Sequence, residues 1–190
     1  MKISLHALRL LIGLTLLTGA IYPLTVWAIG HMFFRPAAEG SLLERHGQVV
    51  GSALLAQKTT DPRYFQPRPS AGDYATVASG ASNQAWTNGK LREIVSANAK
   101  LFRDQNRISD TISLPSDAAT TSGSGLDPHL SVEAVRLQVG RVAAARKLTV
   151  AQEHTLEELV ARLTEGGQFS SRYINVLRLN LALDAAFSAP

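Results

Sequence analysis

Residues 10–30 read LLIGLTLLTGAIYPLTVWAIG, a run without a single charged side chain. Wound as a helix at ~1.5 Å per residue, about 21 residues span roughly 30 Å, the thickness of a bilayer's hydrocarbon core. Leu, Ile and Val dominate the run. At roughly −0.3 to −0.6 kcal/mol each near the bilayer centre, they outweigh the glycines, threonines and lone proline. Backbone groups in lipid need internal partners, so the segment should be helical. The reading is a transmembrane helix over residues 10–34, carried by Leu10, Leu14, Leu17, Ile21, Val26 and Ile29. Pro23 removes one helix donor and should kink it. Trp27, Phe33 and Phe34 sit near its far end, where aromatic side chains favour the interface. A buried core helix is the weaker reading, because a helix apolar all round needs a large protein about it. A cleaved signal peptide would use Thr18, Gly19 and Ala20 as a small-residue site, but the apolar run continues to Ile29.

Charge sets the orientation. Lys2 and Arg9 precede the helix, whereas His31 and Arg35 beyond it are accompanied by Glu39 and Glu44. The positive-inside rule therefore expects residues 1–9 in the cytoplasm and residues 35–190 outside, in the periplasm, with the protein single-pass in a bacterial inner membrane. About 155 residues remain outside the helix, the size of one ordinary domain. Net charge is +4, of which Lys2 and Arg9 supply two. No basic stripe with interleaved aromatics occurs, so no nucleic-acid partner is expected. The absence of cysteine excludes disulfides, thiolate catalysis, cysteine-ligated zinc and a lipidated cysteine.

Beyond a short polar connector, residues 42–57 look extended, with a turn at Gly47 and a strand from Val49 to Leu55. Pro62, Pro67 and Pro69 forbid a continuous helix or central strand in residues 61–70. Residues 71–88 are small, polar and loop-like. Thr87 or Asn88 then caps a helix with Leu91, Ile94, Val95, Asn98, Leu101 and Phe102 on one face. A second helix should start at Pro128 or Ser131 and run to Leu148. Thr149 and Gln152 have the spacing of a capping box for a third, stopped by Gly166 and Gly167. Residues 175–187 fit either an alternating strand or a helical face. Asn175 as cap and the excess of Leu and Ala decide for helix. The fold class is α+β: one N-terminal transmembrane helix, then a single small mixed domain with an early sheet and helices behind it.

The stretch from Ser122 through Gly123, Ser124, Gly125 and Asp127 to His129 is the most suggestive chemically. Glycines before a helix start can bind phosphate, but no P-loop Lys-Ser/Thr follows. Ser124, Asp127 and His129 invite a membrane-anchored hydrolase. However, a triad is assembled from distant segments, and Gly123-Ser124-Gly125 lacks the spacing of a nucleophile elbow. A tight turn with a capped helix accounts for the loop, Gly123 and Gly125 supplying backbone freedom and Asp127 with Pro128 the helix start. Arg68, between two prolines, is expected to tie a rigid loop to a carboxylate or carbonyl. The five histidines show no metal-ligand spacing. No catalytic, metal or covalently bound cofactor site is expected.

Four stretches carry a resemblance: Gly51-Ser52 with Leu54, Leu55 and Gln57; Tyr64-Phe65 with Arg68 and Ser70; residues 122–131 followed by Gln138, Arg141 and Arg146; and residues 175–184, with Asn175, Asn180 and Asp184. With the single N-terminal helix, the chain resembles over nearly its whole length the C subunit of the Kdp-type high-affinity potassium-transporting ATPase. It departs where Gly80-Ala81 precede Ser82-Asn83 in place of two glycines, and where Ala56 stands for a common glycine. The resemblance implies an accessory, non-catalytic subunit of an ATP-driven potassium uptake complex, needed for assembly and activity. Its partners would be a channel-like potassium-translocating subunit, a P-type ATPase subunit and membrane lipid. The subunit would act as a catalytic chaperone raising the ATPase subunit's affinity for ATP, with ATP contacted, if at all, only jointly with that subunit. Arg68, Ser70, Asn83, residues 122–129, Asn175, Asn180 and Asp184 would then be structural or partner-contacting. A hydrolase using Ser124 and His129, or a secreted binding protein released by signal cleavage, are the alternatives.

Overall fold

The structure is a computed structural model that describes residues 2–187; Met1 and residues 188–190 of the expected outer segment lie outside them. A long helix opens the chain, as α1 (Lys2–Leu16), a π turn (Leu17–Ile21) and α2 (Tyr22–Phe33). Its apolar window has a mean hydropathy of 1.7 and none of it is buried in the protein. Leu10, Leu17 and Trp27 remain 65%, 52% and 61% exposed. A helix this apolar with no protein around it argues against the core-helix reading, and it is long and apolar enough to cross a membrane. The kink is expected at Pro23, two residues beyond the end of the π turn. At that turn the Tyr22 amide donates five residues back, to the Leu17 carbonyl. That shift in register lets the chain accept a proline that lacks a donor. Thr18 and Thr25 turn their hydroxyls back onto Leu14 O and Ile21 O, at 2.7 and 2.8 Å, so neither presents a bare hydroxyl to lipid.

Phe34 ends the anchor, and the short helix α3 (Arg35–Ala38) folds back beside it. Strands β1 (Leu42–Arg45) and β2 (Gln48–Ser52) then form an antiparallel hairpin. Its turn places His46 and Gly47 at φ +52° and +76°, the mirror-image geometry that matches strand twist. The strand expected to reach Leu55 ends at Ser52, where the Ser52 hydroxyl donates to Gly40 O and the chain turns.

Four further α-helices follow among the described residues, α4 (Gly89–Asn106), α5 (Val132–Arg146), α6 (Val150–Arg162) and α7 (Val176–Ala186), with a 3-10 turn at Ser116–Ala118. Asn88 caps α4, accepting from the Lys90 amide at 2.9 Å. Thr149 and Gln152 form a reciprocal capping box on α6, and Asn175 caps α7 by accepting from the Arg178 amide. These termini follow the sequence because capping is local chemistry.

Of the two expected starts for the second helix the structure takes the later, and the helix ends at Arg146, short of Leu148. Pro128 lies outside it, residues His129–Ser131 form strand β3, and Ser131 provides the α5 cap. The single early sheet is likewise incomplete as an expectation. A second, three-stranded sheet has the order β3-β5-β4, with β4 (Glu165–Gly167) and β5 (Ser170–Asn175). Gly166 and Gly167 lie within β4 rather than stopping α6, which already ends at Arg162. Phe65, Leu130, Val135, Leu156, Ile174 and Leu179 pack the core between this sheet and the helices.

Candidate functional site

Residues 61–70 join neither sheet: 61–64 make a turn, with Tyr64 N bonded to Asp61 O at 3.1 Å, and the rest continues as a strap through the domain. Their prolines remove ladder donors, so the remaining buried backbone groups must find side-chain partners. Asn180 on α7 accepts from Phe65 N at 2.8 Å and donates to Phe65 O at 2.9 Å. Gln138 on α5 treats the next residue the same way, taking Gln66 N at 2.8 Å and donating to Gln66 O at 3.1 Å. Two side-chain amides thus replace neighbouring strands. Arg141 donates to the carbonyls of Pro62 and Tyr64, and Arg146 to that of Arg63. Burial lowers the Arg141 pKa from its usual value, while four oxygen acceptors, including Asn106 and Gln138, surround the guanidinium.

At the strap's start, Asp184 is buried beneath three donors. Arg146 binds Oδ1, while Arg45 Nη1 and the Tyr64 hydroxyl reach Oδ2 at 2.6 and 2.9 Å. The Asp184 and Arg146 side chains are 4% and 2% exposed, and the Arg146 guanidinium lies 4.9 Å from the centre of the Tyr64 ring. This cluster joins the hairpin, the strap, α5 and α7. Asn175 extends the join by donating to Ala53 O at 2.7 Å.

At the strap's other end, Arg68 donates to Thr120 O and Thr121 O at 3.3 and 3.2 Å and pairs with Asp127 at 3.4 Å. The Ser70 hydroxyl accepts from Tyr74 N at 2.9 Å, and the Tyr74 hydroxyl donates to Arg68 O. Burial pushes that phenol up to about 12, so it stays a neutral donor.

Arg68 thereby fixes residues 122–129. The Ser122 hydroxyl accepts from Asp127 N, and the Ser124 hydroxyl from Leu126 N at 3.1 Å. Ser124 O accepts from Gly80 N and from the Ser79 hydroxyl, both at 2.8 Å. Gly125 has φ +69°, and a side chain there would meet Gly80 O at 2.9 Å and Ser70 Oγ at 3.2 Å. Gly123 is different: its φ is not left-handed, and a methyl group would meet nothing within 4 Å. The expectation that both glycines supply backbone freedom is corrected for Gly123. Asp127 does not start a helix; its carboxylate accepts from His129 N at 3.0 Å and faces His129 Nδ1 at 3.2 Å. His129 also packs edge-on against Tyr173, 4.8 Å between ring centres. Among the described residues no hydrogen bond joins Ser124 to His129. The Ser124 side chain serves its own turn and the histidine serves Asp127.

Beside this loop, a groove of about 540 Å³ runs between α4 and residues 81–84 and 119–123. Trp86, Leu91, Ile94 and Val95 form its apolar part, and Asn83, in a left-handed conformation at φ +53°, lies on its wall with Ser122 and Gly123. Among the described residues, no three His, Asp or Glu side chains converge to hold a metal. The side chains picked out by sequence therefore form two groups. Arg68, Ser70 and residues 122–129 belong to one locked corner, with Asn83 on the groove beside it. Asn175, Asn180 and Asp184 lie on and before α7. Gln138 and Arg146, which complete the clamp, carry a sequence signal of their own. With Val135 and Val142 they repeat at three- and four-residue spacing, two polar residues within a core-facing stripe.

The family model described as KdpC, the K+-transporting ATPase c chain, matches residues 4–185. Relatives named potassium-transporting ATPase KdpC subunit support the match. The one from Mycobacterium tuberculosis is 46% identical over 95% of this chain and 96% of its own. That from Methylococcus capsulatus is 44% identical over 94% and 95%, and that from Pseudomonas syringae pv. tomato 44% identical over 97% and 94%. With one apolar helix ahead of a domain locked by the strap, and a match extending over both, the chain belongs to the KdpC family, the C subunits of Kdp-type potassium-transporting ATPases.

Proposed function

We propose that the protein is a non-catalytic subunit that helps assemble a potassium-transporting ATPase and raises the affinity of its ATPase subunit for ATP. The observation that carries this is the anchor: a helix with no part of its apolar window buried by its own domain, in a chain of this family. Such a helix is built to be covered by lipid and by partner helices, and Gly13 and Gly19 leave open space for close contact. Lys2 and Arg9 favour a cytoplasmic N-terminus and an outer domain. In that orientation the domain and cytoplasmic ATP lie on opposite sides of the membrane. The effect on ATP is therefore a coupling free energy passed through the helix and its partners, without direct contact between domain and nucleotide.

Replacing residues 10–30 by a generic apolar helix should leave the protein in the membrane but lower the yield of intact complex. Unchanged yield would reduce the helix to a tether. Orientation is checked with Ser41→Cys in this cysteine-free chain. An impermeant thiol reagent should label it from the outer face; labelling only after the inner membrane is lysed would reverse the placement. Recovery of the protein in released form without residues 1–20 would support signal cleavage instead.

The hydrolase alternative has its own test. Ser124→Ala and His129→Ala each remove a turn hydrogen bond, worth about 0.5–1.5 kcal/mol. Potassium-stimulated ATP hydrolysis by the purified complex should therefore change only modestly. A nucleophile or base would lose on the order of a thousandfold. Abolished turnover with intact assembly would reopen the enzymatic reading.

A further inference from the structure

The β1–β2 hairpin has two faces, and the domain uses only one. Arg45 reaches inward to Asp184, and Gly51 lies so close to α7 that a side chain there would meet Leu177 Cδ2 at 2.9 Å. Leu42 and Glu44 alternate with these inward positions, and Val49 sits directly opposite Glu44 in the register. Leu42 and Val49 are 51% and 56% exposed.

The chain's path decides what this outer face meets. After Phe34 the backbone folds back, so a methyl group on Gly30 would lie 3.8 Å from Ala38 Cβ. Ala38 is therefore level with the end of the anchor. From there Ser41 N bonds back to Pro36 O at 2.7 Å, and Ser41 O accepts Ala53 N at 2.9 Å, fastening the base of the hairpin to the fold-back. Leu42 is four residues beyond Ala38, a span of at most about 14 Å even fully extended. Phe33 and Phe34, 69% and 62% exposed, border the same level.

The geometry points to a second membrane contact: the outer face of the hairpin, through Leu42 and Val49 with Phe33 and Phe34, rests in the lipid interface beside the anchor. Lipid is the occupant because only the folded-back residues 35–41 separate this face from the membrane-spanning helix. Glu44 on the same face, with Arg35 nearby already paired to Glu39 at 2.7 Å, gives anionic headgroups little attraction. The contact is therefore apolar, of the kind in which side chains enter the outer roughly 5–10 Å of a leaflet. It would hold the domain at a set height and tilt, with Arg45 and Asp184 transmitting that position to the core.

The inference rests on the anchor lying in the membrane, and the test separates the two. Val49→Cys, Ile21→Cys and Val77→Cys are made in the full chain, labelled with an environment-sensitive fluorophore, and measured in the assembled complex in vesicles with and without brominated lipid. Ile21 reports the anchor, and Val77, fully exposed in the loop before α4, reports water. The expected result is bromine quenching at positions 21 and 49 and none at 77. Quenching at 21 without quenching at 49 overturns the hairpin contact and leaves the anchor standing. A blue-shifted but unquenched probe at 49 overturns it in favour of a partner subunit covering that face. Absence of quenching at both 21 and 49 would defeat the anchor and, with it, this inference.

Discussion

Asp184→Asn is expected to destabilise the domain by about 3–5 kcal/mol, the usual cost of leaving one charge of a buried pair without its partner. The amide would keep the shape of the carboxylate while removing the charge that faces Arg146, whose side chain is only 2% exposed. The loss is not offset by water, because Tyr64 covers the guanidinium from one side and the strap from another. For a domain of this size each kcal/mol moves the melting temperature by roughly 2–4 °C. Thermal unfolding of the purified protein should therefore shift down by about 6–20 °C. The double variant Asp184→Leu with Arg146→Met should recover only part of that, since it removes the unpaired charge but leaves Arg45, the Tyr64 hydroxyl and the Arg63 carbonyl without these partners. A single Asp184→Asn variant within about 1 kcal/mol of the parent would mean the charge is not held as described.

Gly125→Val should be nearly as damaging, for a different reason. A left-handed conformation costs an ordinary residue roughly 1–2 kcal/mol. The added carbon would also press on Gly80 O at 2.9 Å and Ser70 Oγ at 3.2 Å, and overpacking of this kind costs about 1–3 kcal/mol more. The neighbouring glycine is the control. Gly123→Ala meets open space, so its effect should stay within about 0.5 kcal/mol, the range of ordinary surface changes. Unfolding midpoints in denaturant, measured for both, decide the matter: equal effects at 123 and 125 would contradict the account of this corner.

What can be read in the sequence is what is local. A charge-free apolar run needs no tertiary information to identify an anchor, and Asn88, Thr149 with Gln152, and Asn175 declare helix starts through bonds made within three residues. The second sheet is hidden because its strands are defined by distant partners. His129 lies across from Asn175, and a three-residue strand carries no periodicity. Asp127-Pro128 therefore reads as a helix start, although backbone pairing with β5 delays the helix to Ser131. The strap is half legible. Its prolines exclude regular structure, but only the fold shows Asn180 and Gln138 serving as its substitute strands. Asn180 and Asp184 stand out in the sequence through the resemblance; burial against Phe65 and Arg146 supplies a physical reason for amide and carboxylate at those positions.

The proposed role, an accessory subunit that tunes an ATPase it does not itself contain, is open to measurement. The most direct measurement compares complexes purified with and without it through a tag on the ATPase subunit, scoring retention of the potassium-translocating subunit and the KM for ATP in potassium-stimulated hydrolysis. This chain should copurify with both large subunits, and its omission should lower the yield of the complex and raise the KM for ATP. A complex formed in full yield without it, with the same KM, would rule the proposed role out.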